Sequence, residues 1–132
     1  MVVAEPSSLA ILEPPSAFDA DIVSGDIQTL GLPMAFGGPH AGFMAAKMAY
    51  MRQLPGRIVG MTFDKEGKPA FTLTQQAREQ HIRRDKATGN ICSNQALCTL
   101  SATIYMSVMG VAGILELLEN SISKAHLLAK KF

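Results

Sequence analysis

Gly37-Gly38-Pro39-His40-Ala41-Gly42, entered through the apolar run from Leu30 to Phe36 and left through Phe43-Met44-Ala45-Ala46, decides how the chain is read. Three glycines and a proline in six residues call for backbone conformations that side chains would block, because glycine is free to use positive φ and proline fixes its own. Another group comes close to the main chain here. The residues beyond lead into a predicted helix over 45–53, which Pro55 and Gly56 end. A glycine turn that enters a helix points to an anion site. A tight turn that only lets two segments pack closely is the other reading the residues leave open.

Two nucleotide-binding motifs fail on this stretch. A phosphate-cradling loop needs Lys-Ser or Lys-Thr after its last glycine, and Phe43-Met44 stand there instead. The dinucleotide fingerprint needs a strand before it and an acid about twenty residues after it. Asp64 lies beyond a predicted helix and a break.

Composition sets further bounds. The chain has 132 residues, a one-domain length. Twelve basic residues against eleven acidic, with no basic run longer than Arg83-Arg84, give no electrostatic reason to expect nucleic acid or an anionic membrane as partner. The longest apolar runs are broken by Gly, Pro or Ser short of the about eighteen residues a span needs, and the start lacks the charge of a secretory signal. A soluble, intracellular protein is expected. Charged residues make up only 17% of the chain and hydrophobic residues 48%, while Met1-Val2-Val3-Ala4 begins at once as an apolar β-type run. Surface is under-supplied, which suggests a piece of a larger protein.

Outward from the turn, 1–12 read as a strand with a short apolar continuation, and Pro14-Pro15 breaks any element begun there. A second short strand starts at 21–23. Beyond the predicted helix, 57–63 alternate as a strand, residues 64–69 supply turn chemistry and 70–73 form a second arm. This is a hairpin. Residues 75–84 contain no breaker, and Thr74 is placed to cap a helix there. Its Arg and His residues form an isolated basic cluster, read either as a solvated face or as facing an anion. After the polar loop Thr88-Gly89-Asn90, with Ser93 or Asn94 as cap, Leu97, Leu100, Ile104 and Val108 repeat on one helical face and read as core. Gly110 and Gly113 punctuate the helix. A second apolar-faced helix follows, with Glu116 and Glu119 early and Lys124, Lys130 and Lys131 late, as the helix dipole prefers. The fold class is α/β, followed by long helices.

Cys92 and Cys98 have no histidine at a ligand spacing, and on a helix they fall on different faces, so free thiols and no metal site are expected. His40, His81 and His126 are scattered along the chain, with no ligand spacing among them.

Four separated blocks together carry a resemblance: Ala20-Asp21-Ile22-Val23; Gly37-Gly38-Pro39-His40-Ala41-Gly42-Phe43; Arg52-Gln53-Leu54-Pro55-Gly56-Arg57; and the run from Arg78 to Thr88. In this order they resemble glycine decarboxylase, the P-protein of the glycine cleavage system. Within that family they resemble its N-terminal half or, where the enzyme is split, its first subunit, present as a fragment. The resemblance implies a pyridoxal-phosphate enzyme of the aspartate-aminotransferase type (fold type I), which decarboxylates glycine and passes the aminomethyl group to the lipoyl arm of the H-protein. It further implies that 1–74 are a partial large-domain segment with the glycine turn and hairpin, and that 75–132 lead toward the small domain. In a bacterium such a protein is cytoplasmic, and in a eukaryote it belongs to the mitochondrial matrix.

The cofactor chemistry requires an imine-forming lysine and an acid for the ring nitrogen. In the family's catalytic half a His-Lys pair precedes the glycine-proline turn. Setting that turn against Gly37-Gly38-Pro39 brings the lysine position onto Gln28, which cannot form an imine. Glu5 falls near the position of the ring-nitrogen acid. The resemblance therefore implies no catalytic residue in this chain, pyridoxal phosphate bound covalently by subunit 2, and a fragment that is inactive alone. Gly37, Gly38 and His40 would face the partner's cofactor or phosphate. Arg83, Thr88 and Asn90 would line the approach of glycine or the lipoyl arm, although Gly89 stands where the family's serine is expected. Another pyridoxal-phosphate enzyme of the same fold, such as a cysteine desulfurase or aminotransferase relative, and a non-enzymatic helical interaction module are the alternatives.

Overall fold

The computed structural model describes residues 1–87 and 94–132. They form two units, one of Met1–Lys47 with Gln95–Phe132 and the other of Met48–Asn94.

The first unit is built on a three-stranded mixed sheet in the order β1-β2-β3. β1 (Val2–Val3) runs parallel to β2 (Ile22–Asp26), and β2 pairs antiparallel with β3 (Gly42–Ala46) from Ile22↔Ala46 to Asp26↔Gly42. Pro6, which has no N–H to give a ladder, opens a 3-10 turn over Pro6–Ala10. Lys47 closes the far end of the sheet, its Nζ bonded to Asp19 Oδ1 at 2.6 Å and Asp21 Oδ1 at 2.9 Å. These hydrogen bonds and charges hold the Lys47 ammonium above its ordinary range and the Asp19 carboxyl below its own. The helix expected over 45–53 is absent. The apolar residues after the turn alternate well enough to pair with β2 as a strand, and only a 3-10 segment, Met48–Gln53, comes after them.

The same unit carries α2 (Ala96–Ala129), which packs against the 3-10 turn of Pro6–Ala10. Gly110, at φ 60 and ψ −174, interrupts it and divides it into the two helices expected from the sequence. That backbone region is open to glycine alone. Thr99, Thr103 and Ser107 each donate to the carbonyl four residues back, at 3.1, 2.8 and 2.7 Å, which satisfies the hydroxyls inside the helix and leaves its faces apolar. The N-cap is Gln95, without a side-chain bond. Ala102 is buried, but Leu97, Leu100, Ile104 and Val108 are exposed, contrary to the core role expected of that stripe. The reason is supply, because the described residues bring little more against the helix than a short 3-10 turn and the loop at Gly31, which lies on Tyr105. By length and composition α2 also passes as apolar enough to cross a bilayer, with 6% of its most apolar stretch buried, so Gly and Ser do not interrupt the apolar composition as the sequence suggested, although Gly110 breaks the helix itself.

In the second unit β4 (Ile58–Phe63) and β5 (Pro69–Thr74) form the expected hairpin, in register from Ile58↔Thr74 to Phe63↔Pro69. Asp64 organises its turn, with Oδ1 accepting from the backbone N–H of Glu66 at 2.8 Å and Lys68 at 2.9 Å. The helix expected over 75–84 shrinks to a single turn, α1 (Gln80–Arg83), flanked by 3-10 segments. Thr74 does not cap it. Its hydroxyl donates to Ile58 O at 3.0 Å inside the hairpin, and Gln75 and Arg84 each take positive φ of 54.

Candidate functional site

Pairing of Asp26 with Gly42 and a bond from Ile27 N to Ala41 O at 2.8 Å close the intervening segment into a loop, anchored by the buried Leu30, Leu32 and Ala41. Four of the sequence-predicted residues, Gln28, Gly37, Gly38 and His40, meet inside it. Asp26 holds both arms: Oδ1 accepts from Gln28 N at 2.7 Å and Oδ2 from His40 Nδ1 at 3.2 Å. Because a carboxylate only accepts, Nδ1 is the donor in this contact, which in the neutral tautomer leaves Nε2 as acceptor. Gln28 Nε2 lies 3.4 Å from that nitrogen and 3.2 Å from Gly37 O, which uses both amide hydrogens.

The turn itself is closely packed. Gly38 has φ 58, and a Cβ there would meet Pro33 O at 2.0 Å and Gln28 Nε2 at 2.8 Å. Only glycine fits. Its N–H donates to Ala35 O at 2.7 Å, and the Gly37 N–H to Met34 O at 3.2 Å. The anion cradle expected of these glycines is therefore corrected: their donors are spent within the turn, a strand and not a helix comes next, and a carboxylate sits in the cluster. Phe36 precedes them at φ 48, in left-handed conformation, with its ring wholly exposed.

Glu5, expected near a ring-nitrogen position, caps the 3-10 turn instead. Its carboxylate accepts from Ser7 N at 3.1 Å, Ser7 Oγ at 2.7 Å, Ser8 N at 2.8 Å and Thr29 Oγ1. Partial burial pushes its pKa up, but the hydrogen bonds from Thr29, Ser7 and Ser8 outweigh this and hold it below the ordinary carboxylate range.

In the second unit Glu79 is 2% exposed, and its Oε2 lies 3.6 Å from Arg57 Nε and 3.7 Å from His81 Nδ1. Oε1 is buried without a hydrogen-bond partner among the described residues. Arg83 donates through Nε to Ala77 O at 3.1 Å. Thr88 and Asn90, with Gly89, Cys92 and Ser93, lie outside the described residues, so Arg83 is the one member of the expected approach whose position is known. Cys98 is a free thiol. No cluster of three or more His, Cys, Asp or Glu suited to a metal occurs among the described residues.

Sequence reasoning missed Asp26 and Phe36. The signal for Asp26 was its place two residues ahead of Gln28, the spacing at which an Asp side chain turns back onto the main chain. Phe36 gave none, because an aromatic residue beside glycines reads as core.

A mixed sheet, a closed glycine loop and a separate hairpin unit are thus in place, and comparison with known proteins gives them a family. The model of the glycine cleavage system P-protein family matches residues 1–132, and the chain belongs to that family. Within it, the chain is 54% identical over its whole length to a protein of Bacillus cytotoxicus described as probable glycine dehydrogenase (decarboxylating) subunit 1, of which it covers 30%. A Geobacillus thermodenitrificans protein with the same description is 55% identical over 126 residues, 96% of this chain and 28% of the relative. A crystal structure of glycine decarboxylase (P-protein) in inhibitor-bound form superposes with a TM-score of 0.91 at 52% identity, over 98% of this chain and 30% of that one. The chain spans about three-tenths of the length of the curated relatives it matches.

Proposed function

We propose that this chain acts as part of subunit 1 of a decarboxylating glycine dehydrogenase, as the partner that does not carry the cofactor. The observation that supports this reading is the position of Gln28. Its nitrogen is a non-nucleophilic amide, and both its hydrogens are directed at Gly37 O and His40 Nε2. The glycine amides are spent and Glu5 is committed to four protein donors, so the residues present do not fit pyridoxal phosphate as a resident group of this chain. In this reading the cofactor is bound covalently by subunit 2, in a fold type I architecture. The loop bearing Gly38, His40 and the exposed Phe36 faces that partner's site. Arg83, with Thr88 and Asn90, lines the approach of glycine or of the lipoyl arm of the H-protein. Residues 1–74 then belong to the large domain, and 75–132 lead toward the small one. The uncovered apolar faces of α2 agree with a place inside a larger assembly. In a bacterium this reading puts it in the cytoplasm, and in a eukaryote in the mitochondrial matrix.

Borohydride trapping with pyridoxal phosphate, read by peptide mass spectrometry, tests the assignment on this chain alone and with subunit 2 added. A stable adduct is expected only on subunit 2. One saturable adduct at a single lysine of this chain would overturn it.

A further inference from the structure

Formal charge is divided unequally between the two units. Residues 48–94 hold eight basic and four acidic side chains, whereas the rest of the chain holds four basic and seven acidic. The near-neutral total is the sum of a basic unit and an acidic one. Within the basic unit an open cavity of about 310 Å³ is lined, among the described residues, by Arg52, Gln75, Ala77 and Arg83. Its two guanidiniums come from segments thirty-one positions apart, Arg52 from the 3-10 segment before the hairpin and Arg83 from α1 after it.

Three features prepare these groups for a ligand. The bond from Arg83 Nε to Ala77 O fixes the guanidinium plane, and among the described residues no hydrogen bond to its two terminal nitrogens is found. No carboxylate among the described residues pairs with Arg52 or Arg83 within the 4.0 Å of an ion pair, and the buried Glu79 is turned to Arg57 and His81. Gln75 is held in left-handed conformation at φ 54 and ψ 35, a strained backbone for a non-glycine residue, and it places an amide on the cavity wall.

We propose that Arg52, Gln75 and Arg83 form a binding site for the oxyanion of a small molecule, a carboxylate or a phosphate, which both match the forked guanidinium geometry. The proposal extends the reading of Arg83 as an approach residue, and it adds Arg52 and Gln75 as specificity-determining groups. Oxyanion recognition then belongs to the hairpin unit and not to the glycine turn.

The test is equilibrium dialysis of the full chain against radiolabelled inorganic phosphate and, separately, radiolabelled glycine, with Arg52→Ala, Arg83→Ala and, as control, Lys65→Ala. One saturable site per chain is expected for at least one of the two. Affinity should fall about tenfold or more in each arginine variant, as for loss of one charge-assisted bond pair, and stay unchanged in the control. Arg52→Lys and Arg83→Lys, which keep the charge but lose the fork, should fall between. Which label binds separates phosphate from carboxylate. Linear uptake of both labels, or binding indifferent to either arginine, overturns the site. If the site binds while Arg52→Ala leaves glycine exchange by the enzyme reconstituted with subunit 2 unchanged, the site stands and its assignment to the substrate approach falls. If nothing binds, the site falls and the non-catalytic reading still rests on the borohydride result.

Discussion

The glycine loop of the first unit and the arginine-lined cavity of the second are both polar, yet they spend their hydrogen bonds in opposite ways. In the loop Asp26 uses both oxygens, Gln28 both amide hydrogens, and Gly37 and Gly38 their N–H groups, all on one another or on the adjoining turn. In the cavity Arg52 and Arg83 keep guanidinium nitrogens that no described carboxylate neutralises. A network closed on itself stabilises a conformation, whereas an open one is available to a ligand. Substitutions in the loop should therefore lower stability, and those in the cavity should lower binding.

The largest effect is expected at Gly38. Gly38→Ala combines a left-handed conformation with a Cβ 2.0 Å from a carbonyl oxygen, so urea unfolding followed by circular dichroism should show a loss of about 2–4 kcal/mol. A loss under about 1 kcal/mol would break the idea that the loop is rigid. A smaller effect, and one that depends on pH, is expected at Glu5. Its folded carboxyl titrates below the ordinary 4.5, so its contribution is complete above that value and disappears as the pH falls through the lower folded one. Glu5→Gln should accordingly destabilise the chain by under about 1 kcal/mol at neutral pH and not at all in acid, Glu5 itself being solvent-exposed. Thermal melts across the acid range check this, and equal destabilisation at every pH would remove the electrostatic account. Smallest of all, Arg52→Ala and Arg83→Ala should each shift the unfolding free energy by no more than about 0.5 kcal/mol. A larger loss from either would mean that the cavity is structural and its arginines already engaged.

Much of the architecture was legible where local chemistry acts alone. The hairpin was readable from Asp64 and Gly67 between two alternating arms, and the division of α2 from Gly110. The failures came where tertiary pairing overrode local preference. Phe43 to Ala46 carry helix-compatible residues, but they lie opposite the open side of β2, and the antiparallel ladder they complete there pairs every second residue's backbone groups with β2. Residues 75–84 lack a breaker, yet positive φ at Gln75 and Arg84 bounds the segment and the extended backbone of Glu79, at ψ 161, leaves a single α turn after it. At the site, the grouping of Gln28 with Gly37, Gly38 and His40 was legible because all four border one loop. Asp26 was legible only in its spacing to Gln28, since its bond to His40 arises only when β2 and β3 bring the loop ends together. The arginine cavity was half visible as a basic cluster around Arg83. Arg52, on the far side of a hairpin in sequence, could join it only after folding.

The break at Gly110 also sets how the chain loosens. Helix grows and shrinks by passing hydrogen bonds along an unbroken ladder, and each new start is costly. A residue at φ 60 and ψ −174 stops that transmission, so residues 96–109 and 111–129 form two cooperative stretches and not one. Heat can fray the later stretch up to the glycine and halt there. The earlier stretch, which holds the buried Ala102, would then keep its slow-exchanging amides after the end of the chain has lost them.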